Sequence, residues 1–240
     1  MMRLNKYLSR CGLASRRIAD KMIQQGRVKV NGVEVTELGV IIEEKKDQVE
    51  VDSKLVSLPP ESIYVLLNKP KGYVTSLKDE FGRKTVTSLI KNLGQRVYPV
   101  GRLDIDTEGV LLLTDDGELA FRLTHPKFQV SKCYHTTVKG EFPVELVARF
   151  EEGIKLEDGF VATAKAKLIS SQRHFSILNL ELTEGRKREV RRMCGMLGFP
   201  VNGLKRVKFA GLSCEGMKVG SWRYLSRKEV DKLRKKVGLL

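Results

Sequence analysis

Beyond Pro60 the chain runs through six apolar, strand-like stretches: IYVLLNKP, RVYPVG, GVLLLT, KCYHTTVKG, ATAKAKLIS and FSILNLELT. Helical patterns lie between them only around Glu118 to Leu123, Pro143 to Gly153 and Arg188 to Leu197. Strands dominate without a regular strand-helix alternation, which predicts an α+β fold with a mixed, largely antiparallel sheet. No glycine pattern of the Rossmann or P-loop kind occurs, so no nucleotide cofactor is expected. Leu58-Pro59-Pro60 interrupts secondary structure ahead of this region. The domain boundary is placed there, giving residues 1–58 and 59–240.

Charge says what kind of partner such a chain meets. Its 240 residues carry 44 Lys+Arg against 29 Asp+Glu, a formal net charge of +15. That excess points to a polyanion, nucleic acid or an anionic membrane. The positive charge is concentrated at the two ends. Met1 to Val30 holds eight basic residues and one acidic, and Thr183 to Leu240 holds 16 and five, whereas Pro59 to Leu182 is nearly neutral with 17 and 16. Two separated basic regions suit a substrate long enough to touch both, which a small metabolite is not. The densest apolar run, Val110 to Leu113, is too short to cross a membrane, and MMRLNKYLSRCG lacks the apolar core of a secretory signal. Cys11, Cys133, Cys194 and Cys214 form no CxxC pair, and His125, His135 and His174 are scattered. No metal site or disulfide framework is therefore expected, and a reducing cytoplasm is the expected setting.

In the first 35 residues Leu4, Leu8 and Cys11 follow helical spacing with Tyr7 beside them. Ser15 is placed to cap a second helix whose apolar stripe is Ile18, Met22 and Ile23 and whose stop is Gly26. Val28 and Val30, then Asn31-Gly32, then Val33 and Val35 predict a hairpin around a type I′ turn. Arg3, Lys6, Arg10, Arg16, Arg17 and Arg27 fall off the stripe, free to meet phosphates. With LNKYLS, ASRR and GRVKVNG in this order, the first 58 or so residues resemble the S-four domain, a small RNA-binding module named after a ribosomal small-subunit protein. The resemblance implies an RNA contact surface at Ser15, Arg16, Arg17, Arg27 and Asn31; for Ser15, capping and RNA contact are not exclusive.

Between two of the later strands lies Gly101-Arg102-Leu103-Asp104-Ile105-Asp106-Thr107-Glu108-Gly109. Such a loop can hold a carboxylate at a sheet edge facing a cleft, although acids of this kind by themselves read first as a solvated loop. The passage GRLDIDTEGVLLLTDDG is similar to the signature of the RsuA/RluB-type pseudouridine synthases, which convert uridine in ribosomal RNA to its C-glycoside isomer. LNKPKGYVTS before it, KCYHTTVKG after it and EGRKREVRRMCGMLGFPVNGLKRV near the end agree in family order. Asp115 is a departure, where many members carry Asn, with no catalytic consequence expected.

By that resemblance Asp104 is the catalytic aspartate. It would serve by attacking the sugar C1′, by adding to C6 of the ring, or by removing a sugar proton to form a glycal; the residues do not choose among these. A carboxylate in a mostly apolar pocket needs a cation beside it, since an unpaired one would take up a proton. The resemblance supplies Arg191, with Arg102 as the other candidate. It also gives Arg102 a part in holding the target nucleotide extruded. Tyr134 matches the tyrosine that stacks on the uracil and assists proton removal from C5, although a strand tyrosine in general reads as core. Lys69, in NKPKG, is expected to contact the phosphate backbone near the cleft. Trp222 reads as core, and Ser226 with Glu229 predicts a capping box opening a C-terminal helix whose basic face lies either on RNA or in solvent.

Together these readings imply an rRNA pseudouridine synthase that is a cytoplasmic monomer without metal or cofactor. The wording REVRRM favours 23S rRNA, free or in an assembly intermediate, over 16S rRNA. A ribosome-associated RNA-binding protein without catalysis and a basic DNA-binding protein are the alternatives.

Overall fold

The structure, a computed structural model, describes residues 1–91 and 93–240. Chain contacts divide it into two compact units, Met1–Ile63 with Gly94–Arg96, and Tyr64–Leu93 with Val97–Leu240. The long segment of the first unit runs to Ile63, whereas the sequence places the boundary after Leu58. Among the described residues no helix is long and apolar enough to cross a membrane.

The first unit begins with β1 (Met2–Arg3), α1 (Leu4–Arg10) and α2 (Arg16–Gln24). Ser15 caps α2 by accepting a hydrogen bond from the Ile18 amide, as its position predicts. The stripe of α2 differs by one position. Ala19, Met22 and Ile23 are buried whereas Ile18 is 51% exposed, because one residue turns a side chain by 100° around the helix. β2 (Val28–Val30) and β3 (Val33–Glu34) form the expected hairpin, with Asn31 at φ 52° and Gly32 at φ 79°, the two positive values that a type I′ turn requires. The module is larger than two helices and a hairpin. β4 (Ile41–Ile42) pairs with β1, while β5 (Val49–Val51) and β6 (Lys54–Val56) extend the hairpin into a sheet of order β3-β2-β5-β6. Leu4, Leu8, Ile23, Val28 and Ile42 close its core.

The second unit contains β7 (Tyr64–Lys69), β8 (Tyr98–Pro99), β9 (Glu108–Thr114), α3 (Gly117–Thr124), β10 (Lys132–Lys139) and the short α4 (Arg149–Glu152). It continues through β11 (Ile154–Lys155), β12 (Val161–Ala162), β13 (Lys165–Ser171), β14 (Phe175–Leu182), α5 (Glu189–Met196), β15 (Val201–Phe209), β16 (Leu212–Ser213), β17 (Trp222–Tyr224) and α6 (Arg227–Lys236). Its main sheet has the order β13-β14-β10-β15-β9-β7-β17, with β8 on β9 and β16 on β15. Every pairing is antiparallel except β15 with β9, which is parallel and only two residue pairs long, Lys205 with Glu108 and Arg206 with Gly109. This is the α+β class expected, with a mixed and largely antiparallel sheet.

That short joint separates two cores. On one side Leu66, Val110, Leu112, Leu119, Leu123 and Leu233 pack together. On the other, Val138, Phe142, Phe150, Leu178, Leu180 and Met193 do so. Each fully buried aliphatic side chain contributes about 1.5–3 kcal/mol. Gly109, at φ +107°, makes the joint possible, since a Cβ there would collide with the Arg206 carbonyl. Asp116 accepts from the Leu119 amide at the start of α3, from Tyr64 Oη on β7 and from Arg234 Nη2 on α6, so one carboxylate ties three elements. The predicted capping box of Ser226 and Glu229 opens α6. Trp222 is half-buried on the edge strand β17, edge-on to Tyr224.

Candidate active site

The 101–107 loop joins β8 to β9, and its path is held through its backbone. Thr75 Oγ1 donates to the Leu103 carbonyl at 2.7 Å and accepts from the Leu103 amide at 3.2 Å. The Gly72 amide reaches the Ile105 carbonyl at 2.7 Å. Lys69 lies beneath, 0% exposed, donating from Nζ to the carbonyls of Asp104 at 3.1 Å, Thr107 at 2.8 Å and Pro70 at 3.1 Å. Burial pushes its ammonium down to about 8, against the pull of Asp106 and Asp104. This corrects the expectation for Lys69: an enclosed ammonium with three carbonyl partners cannot meet an RNA phosphate, and it acts as a strut under the loop.

So held, the loop turns Asp104 into a cleft of about 570 Å³. The side chain is 37% exposed. It is thus less enclosed than the mostly apolar pocket expected for it. Arg102 stands exposed at the rim, and Tyr134, half-buried on β10, lines the same cleft. Tyr134 is paired across the sheet with Leu180 on β14 and Arg206 on β15. Walls come from both cores, Val100 and Phe209 from one and Leu182, Val190 and Leu204 from the other.

The cation paired with the Asp104 carboxylate is not the one expected. Arg191 Nη2 pairs with Asp106 Oδ2 at 3.0 Å and also reaches the Asp106 carbonyl at 3.3 Å, while Nη1 donates to the Val201 carbonyl at 3.0 Å. From the first turn of α5 its guanidinium reaches the far side of the turn closed by the Thr107 amide on the Asp104 carbonyl. Arg188, the N-cap of α5 and held at φ 53°, instead places Nη1 3.9 Å from Asp104 Oδ2 and 3.6 Å from Asp106 Oδ2. Arg191 therefore meets Asp106 rather than the Asp104 carboxylate, and Arg188 is the guanidinium beside both carboxylates.

Three further groups escaped the sequence reading although their motifs were in view. Lys132, two residues before Tyr134, donates to the carbonyls of Val130 at 2.8 Å and Thr183 at 2.6 Å; burial, then Arg206, pushes it down to about 8. Arg206 is 3% exposed, donates from Nε to the Val110 carbonyl at 2.8 Å and lies 4.7 Å over the Phe209 ring. Glu189, raised above its ordinary range chiefly by burial, accepts from the Arg186 amide and fixes the turn entering α5. The KCY, GRKRE and GLKRV words carried all three, but nothing local showed that their side chains turn inward.

In the first unit the expected RNA-contact residues fall into two groups. Arg16 and Arg17 are exposed at the start of α2 beside Ser15. Arg27 forms a bidentate pair with Asp52 at 2.9 and 2.6 Å, and Asn31 bonds Asp47 Oδ1 and the Gln48 amide. Arg27 is therefore exposed but already neutralised, which corrects its listing among cations free for phosphates.

A loop carboxylate and a strand tyrosine thus line one cleft together with several cationic side chains. Residues 63–195 match the RNA pseudouridylate synthase family, and residues 2–49 match the S4 domain. The chain belongs to the RNA pseudouridylate synthase family. This synthase is 48% identical over 236 residues to the ribosomal large subunit pseudouridine synthase B of Bacillus subtilis, covering 98% of this chain and 96% of that one. It is 44% identical over 239 residues to an RNA pseudouridine synthase of Aquifex aeolicus, covering 99% and 96%. Among solved structures, a pseudouridylate synthase crystal structure aligns with a TM-score of 0.70 at 33% identity, covering 97% of the synthase and 100% of that chain.

Proposed function

We propose that this synthase isomerises a uridine of 23S rRNA, with Asp104 as the catalytic carboxylate and Tyr134 as the ring that stacks on the extruded uracil. The observation that carries the reading is that Asp104 and Tyr134, 30 residues apart in sequence, line one cleft with Arg102 at its rim and Arg188 beside the carboxylate. Taking a base out of its stack costs a few kcal/mol, which an aromatic face and phosphate contacts offset. The N-glycosidic bond then breaks, the uracil turns while still held, and the sugar rejoins it through C5, whose proton leaves to solvent while N1 takes one up, so that the product is an isomer. Asp104 serves by attack at C1′, by addition at C6, or by taking a sugar proton. A cleft of about 570 Å³ suits one nucleotide.

Arg16 and Arg17 of the S4 module add phosphate contacts that carry affinity rather than chemistry. The 48% identity to a synthase named for the large ribosomal subunit supports 23S over 16S rRNA. The protein acts as a monomer in the cytoplasm, where ribosomal RNA, free or in assembly intermediates, is its substrate.

Release of tritium from C5-labelled uridine in a 23S rRNA transcript tests this directly. The wild type is expected to release it and Asp104→Asn to bind the transcript without release. Release from 16S but not 23S rRNA would move the substrate, and release from neither, nor from precursor particles, overturns the reading.

A further inference from the structure

Outside the cleft, the end of α3 gathers three rings. Phe121 lies 5.0 Å from His125 and 6.4 Å from Phe128, centroid to centroid, and His125 lies 6.4 Å from Phe128. Phe121 is 49% exposed and His125 is exposed, whereas Phe128 is half-buried against the core below. Two cations accompany them, the Lys127 ammonium 4.8 Å and the Arg122 guanidinium 5.5 Å from the Phe128 centroid. His125 Nδ1 accepts from the Lys127 amide, which fixes the imidazole on the turn. A single exposed apolar side chain needs no explanation. Three clustered rings with cations beside them differ from that background.

The cluster is continuous with the cleft. Thr124 and Pro126, which flank His125, line the cleft wall, and a Cβ on Gly101 would stand 3.5 Å from Thr124 Cγ2, next to Arg102. Along the chain the rings alternate with polar residues, Arg122, Thr124, Lys127 and Gln129. A stable protein interface needs about 800 Å² on each partner. A nucleobase needs only a ring face, and its phosphate a cation.

We propose that Phe121, with His125 and Phe128 behind it, is a stacking platform for an unpaired base of the RNA strand next to the nucleotide that enters the cleft, with Lys127 on the accompanying phosphate. The inference rests on the cleft's taking an extruded uridine, and it adds a second, flanking-base subsite on the rim. A base lifted from a helix leaves neighbours with exposed faces, and a ring beside the cleft receives one of them. Selection among RNA segments then depends on the flanking strand as well as on the target.

The test is equilibrium binding of the 23S rRNA transcript to the full chain and to Phe121→Leu, Phe121→Trp and Lys127→Met, with tritium release by the wild type read in parallel. Phe121→Leu keeps the apolar volume and loses the ring; it is expected to weaken binding about fivefold or more at an unchanged salt slope. Phe121→Trp is expected to bind as the wild type does. Lys127→Met should reduce the slope of log K against log salt by about 0.7–0.9. Wild-type affinity in Phe121→Leu, or an equal loss in the Leu and Trp variants, overturns the platform. Self-association abolished by Phe121→Leu with RNA affinity intact also overturns it and gives the face to a second copy. Absence of tritium release marks failure of the cleft reading, whereas release together with an unaffected Phe121→Leu marks failure of the platform alone.

Discussion

Arg191 grips Asp106, two residues beyond Asp104, with 3.0 Å between Nη2 and Oδ2 and a second contact to the same residue's carbonyl. The late motif thus reaches the loop two residues beyond Asp104, and we infer that this grip helps to position the carboxylate. Removing the guanidinium should cost chemistry more than binding. Arg191→Met is expected to lower the single-turnover rate at saturating RNA by about 10–100-fold, the range for a misplaced reacting group, with transcript affinity changed less than about threefold. Asp106→Asn, which keeps the carbonyl contact, should be milder, and the double variant less than additive. A purely structural role would instead lower the melting temperature and leave the rate per folded molecule alone.

Lys69→Met takes a donor from three carbonyls inside the protein, of which that of Asp104 keeps the Thr107 amide. Unsatisfied buried acceptors cost about 1–3 kcal/mol each, partly offset here by removing a buried ammonium. A net loss of roughly 2–4 kcal/mol is expected in denaturant unfolding. Transcript binding per folded molecule should survive, because the ammonium does not reach the surface.

Gly109→Ala places a methyl group against the Arg206 carbonyl at a φ of +107°. Strain and collision together should cost about 2–4 kcal/mol and lower the melting temperature. Gly32→Ala, also at positive φ but with nothing within 4 Å, should cost distinctly less.

Glu229 accepts from both Arg223 nitrogens and from Ser226, and these, Arg223 first, pull its carboxyl down to about 2 from an ordinary 4.5. The folded state therefore holds fewer protons than the unfolded state between those values. The stabilisation is present above about pH 4.5 and is lost as pH falls towards 2. Glu229→Gln should lose about 1–3 kcal/mol at pH 7 and flatten this part of the acid limb in urea titrations.

What could be read from the chain was what its neighbours decide. Asn31-Gly32 made its turn and Ser15 and Ser226 capped their helices because each rests on contacts within a few residues, and the apolar words became β7, β9, β10 and β14 because their pattern is written along the chain even though their partners are distant. β15 was hidden because a buried Arg206 occupies one of its inward positions and a register shift opposite Cys133 and Tyr134 breaks its alternation. Lys69 at a strand end looked solvated, since its partners lie 35 and 38 residues away on a loop whose path no local pattern reveals. Arg191 and Arg188 share a helix face and a charge, and only the fold decides which acid each one meets.

Because Thr75, Gly72 and Lys69 hold the reactive loop by its main chain, a side chain that points away from these contacts is a spectator to its shape. Ile105, 42% exposed at the apex, can be exchanged without redrawing the curve beneath it. The architecture separates where the carboxylate stands from what surrounds it, leaving the wording of the apex open to redesign towards a new target while the geometry of the reacting atom stays the same.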